Sequence, residues 1–244
     1  MANHKLDEFV EKLKAAASGN LKSVVLYGSA ATGEFHEKHS DVNLLCILER
    51  ADAARLELLH GPVEWWIHRG QRAPLVFTLE ELRRSADVFA IELLDMKSRH
   101  RILYGENFLG EISVPLGAHS LQVERELRTD WLRLRQAILA APKRPKVHLE
   151  LMMSSFSTFA ALFRHALIAL GEAPGETKRE AIDRVAKFAG SDPAAFHAIL
   201  AVREGTLKES DIPVENTLNQ YFSFVEAVTD KFDGQADAKK QAAI

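Results

Sequence analysis

The chain has 244 residues, 47% of them apolar and 27% charged, with a formal net charge of −3. That is enough apolar material for one large core or two modest ones. The slightly acidic balance argues against a dedicated nucleic-acid binder, which is usually basic overall.

The single cysteine, Cys46, excludes an intramolecular disulfide, and its place inside an apolar run predicts a buried thiol. With no N-terminal signal and no apolar run near ~20 residues, the expectation is a cytoplasmic protein that does not enter a membrane.

Taken in order, Leu6, Phe9, Val10 and Leu13 recur at helical spacing, predicting an amphipathic helix over 7–17 that ends near Gly19-Asn20. Two short apolar runs follow, 24–27 and 42–48, each bounded by Gly, Ser or Asp as neighbouring strands are. Between them lie a sharp turn at Gly28-Ser29 and a polar loop that holds Gly33, His36 and His39. A helix is expected over 51–66, then a strand over 74–78 with Thr78 capping the next helix and Glu81 completing a capping box. That helix, or two short ones, runs from 79 to 97, and 102–105 is a last strand stopped by Gly105.

From Gly117 onward the pattern turns entirely helical: 121–139, 147–170, 178–188, 192–202 and 214–232, the fourth opening with Asp192 as cap and Pro193 in its first turn. The fold class is therefore α+β, with an α/β domain on a mixed sheet over 1–116 and an all-α bundle over 117–232. Residues 233–244 read as a frayed tail.

The chemistry concentrates between the first two strands. At Gly28-Ser29 backbone N–H groups and a hydroxyl can approach an anion closely. Asp41 and Asn43 are two apart, so on a strand their side chains share one face. An anion cradle facing oxygen ligands for a hard cation is how a protein holds a metal–nucleotide.

The run Gly28-Ser29, a polar loop, then Ser40-Asp41-Val42-Asn43 followed by apolar residues resembles the polymerase-beta-like nucleotidyltransferases, and most of all their small aminoglycoside-type members. The motif covers 24–48 and, weakly, 102–105. The resemblance implies that Gly28, Ser29 and Ser40 bind the triphosphate and that Asp41 and Asn43 occupy the magnesium positions. It also implies a third carboxylate on a later strand, and a helical domain that helps form the acceptor cleft. The activity it implies is Mg2+-dependent transfer of a nucleotidyl group from an NTP, ATP first, to the hydroxyl of an unknown small-molecule or protein acceptor. A homodimer is compatible with it.

Asn43 departs from that pattern, standing where the family has its second carboxylate. It offers a carbonyl oxygen but no charge. Two unit charges 4 Å apart interact by ~4 kcal/mol at an effective dielectric of about 20, so losing one costs several powers of ten in occupancy or rate unless another acid replaces it. The alternative reading is a catalytically inactive nucleotide-binding regulator or partner module, and a purely structural protein is the third.

The third carboxylate is expected on the strand around 75–77, which carries no acid, leaving Glu64, Glu92 and Asp95. Glu92 lies in an apolar stretch and serves either the site or a surface ion pair with Arg99. By the resemblance, a general base comes from the helical domain, where Glu124, Glu126 and Glu150 are available. Arg69, Arg72, Arg99, His100 and Arg101 flank the site as phosphate ligands or solvated charge. Trp65 and Trp66 are better read as core, 143–146 as a linker, and His36 and His39 lack zinc-ligand spacing.

Overall fold

The computed structural model describes residues 2–31 and 42–242, and the side chains of 4–28, 30–31 and 42–235. It divides into two compact units, Met1–Pro115 and Leu116–Ile244.

In the first unit, α1 (Ala2–Ala17) buries Leu6, Phe9, Val10, Leu13 and Ala17, one stripe of a 3.6-residue period. It starts earlier than the apolar spacing suggested, since its first turn is polar. Four strands follow: β1 (Leu21–Tyr27), β2 (Asn43–Leu48), β3 (Leu75–Thr78) and β4 (His100–Gly105). Their order in the sheet is β3-β2-β1-β4; β1 runs antiparallel to β2 and β4, and β2 parallel to β3, so the sheet is mixed.

Both faces are covered, which is why β1 and β2 read as unbroken apolar runs. Val24, Leu26, Leu44, Cys46 and Leu48 pack with α1 and, beyond α2 (Ala53–Leu58), with Leu59 and with Val63, Trp65 and Trp66 of α3 (His60–Ile67). Val25, Leu45 and Ile47 pack on the other side with Leu82 of α4 (Leu79–Arg84) and Leu93 and Met96 of α5 (Ala90–Ser98).

The predicted helix over 51–66 is broken at Leu59. Pro62 has no N–H to give the carbonyl four residues back, and the Leu59 N–H instead bonds Leu56 O at 3.0 Å, closing the first helix with a tight turn. The capping box forms as expected: Glu81 N–H donates to Thr78 Oγ1 at 3.2 Å and Thr78 N–H to Glu81 Oε2 at 2.8 Å. Gly105 closes β4 at φ +76, where a Cβ would stand 1.8 Å from Lys22 O.

The second unit comprises α6 (Leu116–Ala140), α7 (Pro145–Leu170), α8 (Lys178–Ala189), α9 (Ala194–Arg203) and α10 (Val214–Ala242). By length and composition α7 is apolar enough to cross a membrane, contrary to the expectation that no run approaches that. Its buried face supplies the bundle core: Phe156, Phe159 and Phe163 meet Phe196, Tyr221 and Phe224, with the Phe196 and Tyr221 rings stacked 4.2 Å apart. Pro145 starts α7, and Gly171, at φ 84, ends it in the left-handed region. The fourth predicted helix begins later than read, because Asp192 Oδ1 takes the Ala194 N–H at 2.9 Å and holds Pro193 outside. The helix α10 continues through Ala242, beyond residue 232 where the bundle was expected to end.

Candidate functional site

β1 ends at Tyr27, and Gly28 turns the chain at φ +77 into a 3-10 turn, Gly28–Ala31. The Gly28 N–H donates to Arg99 O at 3.3 Å, which ties the turn to the head of β4. Asn43 opens β2 opposite Tyr27, and its carboxamide lies against the turn: a Cβ on Gly28 would be 3.3 Å from Asn43 Nδ2. The turn and the head of the second strand therefore meet, as the motif requires.

Tyr27 is also in register with His100 on β4, so Asn43, Tyr27 and His100 form a row across one end of the sheet. Alternation places Tyr27 on the face that α5 covers, where it packs with Val25 and Ile102. Burial pushes the Tyr27 phenol above its ordinary range, the positive charge of Arg72 opposes this, and the negative charge of Glu92 adds to it. Arg72 and Glu92 are thus within electrostatic reach of Tyr27, at the same end of the sheet as Asn43. Register agrees for Arg72: it precedes Leu75, which pairs with Leu45 just inside the head of β2. Glu92 is exposed, in the first turn of α5, and Asp95 lies one turn further along the helix.

Several expected residues are placed elsewhere. Glu64 is exposed on α3, 4.0 Å from His60 Nε2, and α3 belongs to the opposite layer of the sheet. Arg69 stacks on Trp65, 3.7 Å from the ring centroid, and donates to Trp65 O. Trp66 is core, parallel to Phe9 at 4.5 Å. His100 is occupied at both nitrogens, with Nδ1 3.2 Å from Lys97 O and Nε2 3.2 Å from Asn107 Nδ2. With both ring nitrogens engaged, neither is left for a phosphate. Arg101 pairs with Leu26, one residue off the face that carries His100. Ser40, Asp41, His36 and His39 lie outside the described residues, as does the Ser29 side chain.

Tyr27 was missed by sequence reasoning; the signal available was its place as the last strand residue before Gly28. Cys46 is fully buried, and burial pushes its thiol up to about 12, so it is no nucleophile.

The magnesium positions can be tested against these donors. Asn43 brings an uncharged oxygen, and β3, where a third acid was expected, opens with Leu75, 43% exposed. Among the described residues no group of three His, Cys, Asp or Glu side chains could hold a metal. Magnesium asks for near-octahedral oxygen ligands, usually with carboxylate charge; Asn43 offers one neutral oxygen, and Asp41, the expected carboxylate, lies outside the described residues.

Residues 6–100 match the family model described as a nucleotidyltransferase domain. In fold, the chain is similar to a spectinomycin adenyltransferase from Enterococcus faecialis, whose crystal structure was solved with ATP and spectinomycin. The TM-score is 0.55 at 14% identity, over 92% of this chain and 99% of that one. No curated protein matches the chain. The match to the nucleotidyltransferase domain thus falls within the N-terminal unit, and the likeness to the adenyltransferase is one of fold.

Proposed function

We propose that the N-terminal unit binds a nucleoside triphosphate, ATP first, and passes its nucleotidyl group to the hydroxyl of a small polar acceptor. The single observation that carries this reading is the contact between Gly28 and Asn43, which joins the anion-accepting turn to the head of β2 within a nucleotidyltransferase domain. The backbone N–H groups of the turn, with the hydroxyls of Ser29 and Ser40, receive phosphate oxygens.

The acceptor oxygen attacks the α-phosphorus in line with the bridging oxygen to the β-phosphorus. That bond breaks, pyrophosphate leaves, and the hydroxyl proton passes to a carboxylate. Glu92 is the candidate at the described end of the sheet; Glu124, Glu126 and Glu150 of the helical unit are the others. Magnesium enters only as the ion the nucleotide carries, with Asp41 and Asn43 as oxygen donors to it. The setting is proposed to be cytoplasmic, where one buried thiol needs no oxidant.

The similarity to a spectinomycin adenyltransferase sets the first acceptors to try: spectinomycin and related aminoglycosides. Pyrophosphate release from Mg-ATP is expected only with the right acceptor, and it should disappear in Asp41→Ala. A second reading has its own observation. Asn43 stands where the second carboxylate is expected and the strand 75–77 carries no acid, which favours a protein that holds nucleotide and signals or recruits through it. ATP binding with no pyrophosphate release across a broad acceptor panel would select that reading.

A further inference from the structure

Helix α6 turns one side into the bundle through His119, Val123, Leu127 and Leu134. The opposite side carries a second pattern. Leu121, Arg125, Arg128, Leu132, Arg135 and Leu139 recur at alternating steps of four and three, the spacing at which one helix meets another along a seam. At about 100° per residue these positions stay within roughly 40° of one line, which runs about 27 Å down the helix. The three leucines are 49% to 88% exposed. A single exposed leucine is ordinary on a protein surface, but three in line with arginine stems between them make a continuous apolar strip.

The charge along the strip has one sign. Arg128 is engaged by Asp230 and Asp233 of α10. Arg125 and Arg135 are exposed and make no ion pair among the described residues. Arg135 lies over the Trp131 ring, 4.6 Å from its centroid, a contact that holds the guanidinium without neutralising it. Within α6, Glu124 is the acid closest to the line, half-buried and about 60° away from it. Two copies of the chain joined along this strip would set arginine against arginine, Arg125 and Arg135 facing themselves in a parallel pair and each other in an antiparallel one. A second copy is therefore a poor occupant, and a helix carrying carboxylates is a good one.

We propose that the outer strip of α6 is a docking surface for an acidic amphipathic helix of another protein. Its apolar side chains seat against Leu121, Leu132 and Leu139, and its carboxylates face Arg125 and Arg135. The proposal rests on the helical unit alone and holds whether or not the N-terminal unit binds nucleotide.

The test is fluorescence anisotropy of the full chain with a labelled synthetic helix of about three heptads, leucine at a and glutamate at d, beside the same peptide with lysine for glutamate. The glutamate peptide should bind with a dissociation constant of roughly 10–100 μM at low salt, and the lysine peptide about tenfold more weakly or worse. Leu132→Gln with Leu139→Gln should weaken the glutamate peptide about tenfold, and Arg125→Glu with Arg135→Glu should reverse the preference between the two peptides. Urea midpoints close to wild type check that these exposed changes leave the chain folded.

No binding at about 1 mM peptide, equal binding of both peptides, or an affinity unmoved in both folded variants overturns the proposal. Two further outcomes also overturn it. Cosedimentation with phosphatidylserine–phosphatidylcholine vesicles that the leucine variant abolishes would give the strip to a membrane surface. A dimer in sedimentation velocity that the same variant dissolves would give it to a second copy.

Discussion

Gly28 and Asn43 constrain each other: Gly28 holds φ +77, and any side chain there would press on the Asn43 amide at 3.3 Å. The turn that leaves β1 and the residue that begins β2 therefore form one local structure. That is what allows residues fifteen positions apart in sequence to act on a single ligand.

The first prediction tests that structure. Gly28→Ala must either carry a β-carbon at positive φ or reshape the turn, at a cost of about 1–2 kcal/mol. Urea unfolding should show the midpoint falling by that amount, and ATP affinity should fall with it. An unchanged midpoint and affinity would mean that the turn tolerates another conformation.

Two further glycines separate strain from collision. At Gly105 a Cβ would stand 1.8 Å from Lys22 O, a backbone atom paired into the sheet. Gly105→Ala should cost about 3 kcal/mol or more, because β1 and β4 must part to admit it. Gly70 has the similar φ of +77 but no atom of the described residues within 4 Å. Gly70→Ala should cost only about 1 kcal/mol. Equal losses in the two variants would contradict the close approach at Gly105.

Cys46 yields a prediction with a defined sign. Its thiol has an ordinary value of 9.0 and is pushed up to about 12 by burial. Between these values the unfolded chain releases the proton and the folded chain keeps it, so the folded state binds more protons and stability falls as pH rises. The slope should approach ~1.4 kcal/mol per pH unit from this group in that window, and should fade out below about pH 8. Cys46→Ala should remove that slope, and a thiol reagent should label Cys46 only after unfolding. Rapid labelling of the native chain would place the thiol at the surface.

What could be read in advance follows how local each signal is. The stripe of Leu6, Phe9, Val10 and Leu13 and the reciprocal pair Thr78–Glu81 depend on neighbours three or four residues apart, and both are found where expected. The break at Leu59 was written in Pro62, but a proline near the start of a helix and one inside a longer helix look alike until the first helix has an end. In the site, the meeting of Gly28 and Asn43 was legible because one short connection joins them. The approach of Arg72 and Glu92 to Tyr27 was not. It depends on β3 pairing parallel to β2, on β4 pairing with β1 across more than seventy residues of chain, and on α5 covering that face. The burial of α7 depends likewise on long-range packing, because a core helix and a membrane-crossing one share a composition.

In sequence, Asp41 precedes the second strand by two residues. Asp41→Ala should abolish pyrophosphate release from Mg-ATP while the variant still unfolds in one cooperative transition. Unchanged release in the variant would take Asp41 out of the site.

The central claim is that phosphate groups seat between the Gly28 turn and Asn43, and a crystal structure of the full chain with a non-hydrolysable ATP analogue tests it most directly. The account predicts phosphate oxygens within hydrogen-bond reach of the backbone N–H groups of residues 29–31 and of the Asn43 side chain. An analogue bound elsewhere, with the Asn43 amide still packed on Gly28, would contradict it.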